Sequence, residues 1–365
     1  MTNTKMAVGV IGCGNISNAY FKGGKHYSAL SIVACADLDE ERAKQKAQEH
    51  GIRAVSIADL LKDPEIGLII NLTIPAAHAP VDMAILEANK HVYSEKPLAL
   101  RLSEAAPVLE LARAKKLRVA CAADTFLGGG IQTCRKLIDD GAIGQPTSAV
   151  AFFGCAGHES WHPSPAFYYQ AGGGPLLDMG PYYLGALVNL LGPVRRVSAV
   201  TNQAFAERTI TSKPLYGTRV KVEVPTHVAA NLEFENGAAA SMMMSFDVVR
   251  HSLPRIEIYG TEGALSVPDP NTFGGPVRIA KRGSSDWEEV PLTHAEGMRG
   301  AGAADLVQAL KSGRAHRASG ELAYHLLDIM ESAHVSGAEK RVVELKTRVE
   351  RPSAVPTGLP PGELD

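Results

Sequence analysis

Basic residues are not in excess: 37 lysines and arginines face 39 aspartates and glutamates, for a formal net charge of -2. That balance leaves nothing to neutralise a phosphate backbone or an anionic membrane surface, and argues against nucleic acid and membrane as partners. Cysteine is scarce. The five residues, Cys13, Cys35, Cys121, Cys134 and Cys155, are odd in number and contain no Cys-x-x-Cys pair. Neither a disulfide framework nor a zinc ribbon is indicated, and a reducing cytoplasm is the expected compartment. A long apolar run is missing from the start of the chain. The polar residues 1–5 lead into a short apolar stretch that stops at the glycines between positions 9 and 14, too short for a signal sequence or a membrane span. No internal repeat is present.

What remains has a globular balance, with 45% apolar and 21% charged residues, so neither a disordered tail nor a fibrous repeat fits. A chain of 365 residues is long enough for two domains. Up to residue 125, short β-branched runs at 6–11, 31–36, 67–72, 91–94 and 118–122 alternate with helical stretches at 16–27, 40–49, 56–61, 76–88 and 103–115. This is the pattern of a doubly wound α/β domain, and Ser103 is the expected N-cap of the last helix. After a helix at 131–139 the texture changes. Strands at 148–153, 194–201, 226–234, 238–247, 255–259 and 276–281 predict an α+β domain, 126–365, with an open-faced, mainly antiparallel sheet. Two helices within 303–336 are expected to pack back on the first domain. The tail 351–365 holds four prolines and predicts an extended arm.

Three motifs carry chemistry. The run Gly12-Cys13-Gly14-Asn15-Ile16-Ser17 lies where the first strand turns into the first helix, and Asp37 ends the second strand. Gly12 permits the tight turn, Gly14 lets a pyrophosphate approach the backbone, the helix start supplies amide donors, and the carboxylate takes ribose hydroxyls. Asp37 predicts NAD rather than NADP, because it repels a 2′-phosphate. Glu95-Lys96-Pro97 follows a strand at its carboxyl end, the edge where ligands bind in open α/β sheets. Gly172 to Tyr183 then contains Asp178 and Tyr182. Pro181 is expected in a first helical turn, placing the helix start near Leu177 or Asp178, with Asp178 and Tyr182 on one face.

With these motifs the chain resembles the glucose–fructose oxidoreductase and inositol dehydrogenase family (Gfo/Idh/MocA) over nearly its whole length. The resemblance implies a Rossmann first domain and hydride transfer between NAD or NADP and a sugar or polyol. It also implies that Lys96 touches substrate and nicotinamide, that Asp178 binds substrate, and that Thr73, Pro75 and His78 border the cofactor along with Glu95. The family's catalytic histidine four residues after the aspartate is Tyr182 here. A neighbouring Lys96 ammonium lowers a phenol's pKa and Asp178 opposes that shift, so the two contacts compete.

The letters His158-Glu159-Ser160-Trp161-His162 match the zincin pattern, yet Gly154 and Gly157 precede them and Pro163 and Pro165 follow. A helix is excluded, and no metal is expected. A loop over the sheet is predicted instead, lending His158, Trp161 and His162 to a substrate pocket, with Tyr168 and Tyr169 as weaker candidates. Residues 207–223 read as a solvated loop. A sheet with an open apolar face suits subunit contact, so a homodimer or homotetramer is expected. The function these features indicate is an NAD-dependent sugar or polyol dehydrogenase, with Tyr182, Lys96 or a histidine carrying the proton. Alternatives are a redox-cycling glycosidase on the same fold and a non-catalytic NAD-binding regulator. The presence of both Lys96 and Asp178 argues against the regulator, which needs neither.

Overall fold

The computed structural model describes residues 5–365. Its first unit runs β1 (Met6–Ile11), α1 (Ser17–His26), β2 (Leu30–Ala36), α2 (Glu40–His50), β3 (Arg53–Ala54), α3 (Ile57–Lys62), β4 (Leu68–Asn71), α4 (His78–Glu87), β5 (His91–Ser94), α5 (Leu102–Lys115) and β6 (Val119–Cys121). The strands form one parallel sheet in the order β3-β2-β1-β4-β5-β6. Connections leave β1 on one side for β2 and return on its other side at β4, which opens a crevice beyond the carboxyl ends of these strands. β4 is wholly buried, as a strand covered by helices on both faces must be.

Local chemistry sets several helix ends. Asp39 caps α2 through Arg42 N, Gly51 closes it at φ 70°, and Ser56 caps α3 through Asp59 N. The expected cap at Ser103 is not made. α5 begins one residue earlier, and Leu102 N donates instead to Glu331 Oε2 at 3.0 Å, a tertiary contact that no local pattern encodes.

The second unit continues with α6 (Gly129–Asp139), β7 (Pro146–Gly154), α7 (Pro175–Leu191), β8 (Val194–Asn202), β9 (Glu207–Thr209), β10 (Arg219–Lys221), β11 (His227–Phe234), β12 (Ala239–Ser245), β13 (Ile256–Gly260), β14 (Gly263–Val267), β15 (Val277–Lys281), β16 (Glu288–Val290), α8 (Ala301–Ser312), α9 (Gly320–Glu339) and β17 (Val343–Glu344). Nine of its strands make a mixed sheet, β16-β15-β14-β13-β7-β12-β11-β8-β17, antiparallel except for the β7–β12 pair. α7 carries the chain from β7 across to β8, and the antiparallel pairs β8–β11 and β11–β12 then bring β12 back beside β7 in the same direction. Along β11, Val228, Ala230 and Leu232 are buried while Ala229 and Asn231 are exposed, and Val200 on β8 is 70% exposed. One face is therefore covered by α6, α7 and α9 and the other is open.

Two expectations are corrected here. α7 starts at Pro175, not at 177 or 178, because Pro175 fills the first helical position after Gly174 at φ 91°. Pro181 is then inside the helix, where its missing N–H removes one intrahelical bond. Residues 207–223 are not simply a solvated loop. β9 and β10 pair as a hairpin, and Ile210, Val220 and Val222 alternate inward onto Tyr169 and Phe246 in a small second core.

α9 lies along β8 and also touches α5 and β6, and Cys121 N donates to Ala318 O at 3.0 Å just before it. The tail 351–365 has no regular element, yet Val355 and Leu364 are buried and Arg317 donates to Ser353 O and Ala354 O. Among the described residues, no helix is long and apolar enough to cross a membrane.

Candidate active site

The crevice holds a cavity of about 1020 Å³ between the first sheet and α7. At one end stands the glycine turn. Gly12 has φ 98°, and a Cβ there would lie 2.6 Å from Leu72 O, so only glycine allows β1 and β4 to stay this close beyond their ends. A Cβ on Gly14 would meet nothing within 4 Å, which leaves open space over that peptide. No side chain caps α1 and its first turn has no acidic residue; Ser17 N and Ala19 N already donate to Gly14 O and Ile16 O, which leaves the Asn15, Ile16 and Asn18 amides to meet an anion. Ser17 is fully buried and donates to Gly14 O at 2.7 Å, a fit for a small residue at this position. Asp37 accepts from Cys13 N at 2.7 Å and from Asp39 N at 2.9 Å, which fixes its carboxylate at the end of β2. Arg42, unnoticed in the sequence, sits 3.7 Å from that carboxylate. An open peptide, an uncapped helix start and an oriented carboxylate fit a dinucleotide.

Asn15, Ile16, Thr73, Pro75, His78 and Glu95 line the cavity, whereas Gly12, Gly14 and Asp37 do not. Asn71 orients the loop after β4 by accepting from Thr73 N and Thr73 Oγ1. His78 spans two loops, with one ring nitrogen 2.6 Å from Pro97 O and the other 3.0 Å from Thr73 O. Glu95 accepts from Tyr20 Oη at 2.7 Å and from Lys96 N at 2.9 Å, so its charge is directed into the first domain.

Lys96 crosses the crevice. Its Nζ donates to Asp178 Oδ1 at 2.8 Å and to Asp178 O at 2.7 Å, while Asp178 Oδ2 lies 3.2 Å from His158 Nε2. Burial disfavours the Lys96 charge, but Asp178, Tyr182 and Glu95 more than offset it and hold the ammonium well above the usual lysine range. Burial likewise works against ionised Asp178, and Lys96 and His158 overcome it, lowering its pKa to about 2. Tyr182 lies one turn on from Asp178, its ring centroid 5.2 Å from Lys96 Nζ and 5.0 Å from the Arg299 guanidinium carbon. Burial decides the Tyr182 pKa: it raises the value, Lys96 and Arg299 only partly counter it, and Glu95 and Asp178 add a little to the rise, so the phenol is neutral at pH 7.

The run from His158 to His162 is a non-helical turn, and its glutamate faces away from the cavity. Glu159 is bound by Arg208 at 2.7 Å and by Tyr169 Oη. Arg208, on β9, also donates to Ala156 O at 2.9 Å, to Phe246 O at 3.0 Å and to Asp247. The hairpin thereby staples the loop to the sheet, and Ser212 Oγ on its far side donates to His162 O. His158, Trp161, His162 and Tyr168 line the cavity. Tyr169 does not. It is fully buried, and its hydroxyl accepts from His158 N at 3.1 Å, so it packs the loop rather than forming the pocket wall. His162 Nδ1 accepts from Ser164 N at 3.1 Å, which leaves Nε2 as a proton donor in the neutral ring.

Sequence reasoning missed the wall formed by Asn271, Phe273 and Arg299. Arg299 donates to Asn271 Oδ1 at 2.6 Å, and its Nη1 has no hydrogen-bond partner among the described residues. The pair of glycines Gly297 and Gly300 around it was the available signal, since Gly23 on α1 has room for no more than a hydrogen beside Arg299 O.

Comparison with known proteins agrees with this geometry. The model of an oxidoreductase family with an NAD-binding Rossmann fold, GFO/IDH/MocA, matches residues 6–123, and the GFO/IDH/MocA C-terminal domain matches residues 131–266. The chain is 27% identical over 298 residues to dTDP-3,4-didehydro-2,6-dideoxy-alpha-D-glucose 3-reductase of Saccharopolyspora spinosa, covering 78% of this chain and 82% of that protein. It is 23% identical over 262 residues to myo-inositol 2-dehydrogenase of Thermotoga maritima, covering 71% and 74%. In fold it is similar to levoglucosan dehydrogenase in complex with NADH, at a TM-score of 0.80 and 21% identity, over 94% of this chain and all of the other (100%). The chain belongs to the GFO/IDH/MocA family of oxidoreductases and carries that family's NAD-binding Rossmann domain.

Proposed function

We propose that this protein transfers a hydride between NAD and a CH–OH carbon of a sugar or polyol. The observation that carries this reading is the Lys96–Asp178 pair, 2.8 Å apart, at the carboxyl end of β5 with the neutral Tyr182 phenol beside it. When bound, NAD supplies the carbon that accepts or returns the hydride. Lys96, held as an ammonium, stabilises negative charge as it develops on the reacting oxygen. Asp178 has two oxygens already engaged by Lys96 and His158, which orients both side chains and leaves its remaining lone pairs for a substrate hydroxyl. Tyr182 moves the proton: as a neutral phenol it donates to a carbonyl oxygen during reduction, and as a phenolate it accepts from a hydroxyl during oxidation. The resting protonation states, an ammonium and a phenol, favour carbonyl reduction at neutral pH, and oxidation gains with rising pH.

Asp37 supports NAD over NADP. The open sheet face around Val200 supports a dimer or tetramer through the second unit, and the five free cysteines support a reducing cytoplasmic location. A screen of monosaccharides, inositols and simple glycosides by NADH absorbance tests the central reading. Net NADH formation with a sugar or polyol is expected. Hydrolysis of a glycoside without net NADH would instead support a redox-cycling glycosidase, and NAD binding with no turnover in either direction would support a regulator.

A further inference from the structure

The cavity does not end at the reacting centre. From His158, whose Nε2 faces Asp178, aromatic rings continue outward: Trp161 at 5.2 Å and Tyr168 at 4.3 Å between centroids, then Phe167 at 4.0 Å from Tyr168. His162 lies between Trp161 and Phe167, 5.3 and 5.4 Å from them. Exposure rises along the same path, from 7% at His158 to 43% at Phe167 and 59% at Trp161. Scattered exposed apolar residues are ordinary, but these rings line one cavity and are continuous with its chemical centre. They are also held in place. The Arg208 staple and the Ser212–His162 bond fix the loop that carries Trp161 and His162, so the surface exists before any ligand arrives. Its one acidic side chain, Glu159, is turned away onto Arg208, which leaves a neutral surface with His162 Nε2 as a donor.

We propose that this surface is a subsite for the group attached to the reacting sugar, and that the substrate is a neutral glycoside, meaning a disaccharide or an aryl or alkyl glycoside, rather than a free monosaccharide. The inference rests on the function proposed above. The sugar held by Lys96, Asp178 and Tyr182 lies inward of His158, and a substituent directed to the mouth lies against Trp161 and Phe167. A C–H face of a second sugar ring or an aryl ring suits these apolar faces, and a hydroxyl or the glycosidic oxygen suits His162 Nε2. The chemistry is balanced as in a simple sugar: one CH–OH loses a hydride to NAD and a proton to the Tyr182 phenolate, giving NADH, a neutral phenol and a keto-glycoside with the glycosidic bond intact.

The protein has two tryptophans, and Trp287 lies between β15 and β16, away from the cavity. Trp287→Phe therefore leaves Trp161 as a sole fluorescent reporter. Acrylamide quenching of Trp161 is followed with NAD present while glucose, galactose, cellobiose, lactose, phenyl glucoside or phenyl galactoside is added. Turnover of the same compounds is measured in parallel. At least one glycoside is expected to protect Trp161 at a concentration about tenfold or more below that of its parent sugar, a difference within reach of burying one aromatic face. The ratio of kcat/KM for that glycoside over its parent sugar is expected to fall about tenfold in Trp161→Ala, whose side chain is exposed and whose loss leaves the fold intact. Equal protection by glycoside and parent sugar, or no protection by any glycoside, overturns the subsite. Protection of Trp161 by a glycoside with no NADH formed from any compound leaves the subsite standing and refutes the proposed dehydrogenase function instead.

Discussion

Arg208→Met is expected to destabilise the protein strongly, although Arg208 lies outside the cavity. Arg208 is 7% exposed and lies between Glu159 at 2.7 Å and Asp247, with two carbonyl oxygens, Ala156 O and Phe246 O, completing its shell. Methionine fills much of the volume and supplies no donors. Two carboxylates, with side chains only 15% and 10% exposed, are left without their cation. Breaking a buried pair by removing one partner costs ~3–5 kcal/mol, and that range is expected in urea unfolding read through Trp161 in the Trp287→Phe background. The pH dependence separates this cause from lost packing. Burial opposes ionisation of Glu159, but the bonds from Tyr169 and Arg208 prevail and hold its carboxyl below the usual range. A depressed carboxylate stabilises the native state above its unfolded pKa and loses that contribution as pH falls through the folded pKa. Without Arg208 the burial cost dominates, the folded pKa moves above the unfolded one, and protonation relieves the variant. The stability gap between wild type and Arg208→Met should therefore narrow as pH falls from 7 to 5. A loss below ~1 kcal/mol, the scale of an exposed pair, or a gap unchanged with pH, would refute the electrostatic account. Arg208→Lys keeps the charge but not the fork, and should recover only part of the loss.

Lys96→Met should abolish turnover while NAD binding, followed by fluorescence, stays nearly intact; retention of more than about a tenth of the rate, a change under ~1.4 kcal/mol in the barrier, would make Lys96 a spectator. Tyr182→Phe removes only the proton-carrying oxygen and should cost about 10² to 10⁴ in rate. Because burial raises the Tyr182 pKa above its ordinary value, wild-type oxidation should climb by about tenfold per pH unit from pH 7 to 9, and Tyr182→Phe should lose that slope. An unchanged rate and profile would move the proton to His162 or another group. Wild type should bind NAD at least about tenfold more tightly than NADP, and Asp37→Ala should narrow the difference; equal affinities in the wild type would contradict the role given to Asp37.

Parts of the fold could be read locally because the residues that determine them are adjacent. The alternation of β-branched runs and helical stretches marked the parallel sheet, and the strand at 91–94 ends where the composition turns to Glu95-Lys96-Pro97. The glycine turn was legible for the same reason: strand, Gly12 and helix are consecutive. Features set by distant partners were not. The start of α5 depends on Glu331 across the chain, and the 207–223 hairpin depends on Tyr169 and Phe246, which complete its small core. Pro181 misled the reading of α7 because Pro175, six residues earlier, already satisfied the rule that places proline at a helix start. The letters of the zincin pattern gained a meaning only with Arg208, which lies 49 residues after Glu159 and turns that side chain away from both histidines. Arg299 and Asn271 come from irregular segments without periodicity, so the only local hint of a cavity wall was the pair Gly297 and Gly300 beside Arg299.

The most direct test follows the hydride itself. A sugar or glycoside that supports turnover is labelled with deuterium at the carbon that is oxidised, and the cofactor and product are recovered after the reaction and weighed by mass spectrometry. The account predicts reduced cofactor carrying the deuteron, together with a carbonyl product that has lost it. Deuterium retained in the product with the cofactor returned unlabelled, or lost to water, would contradict net hydride transfer to NAD.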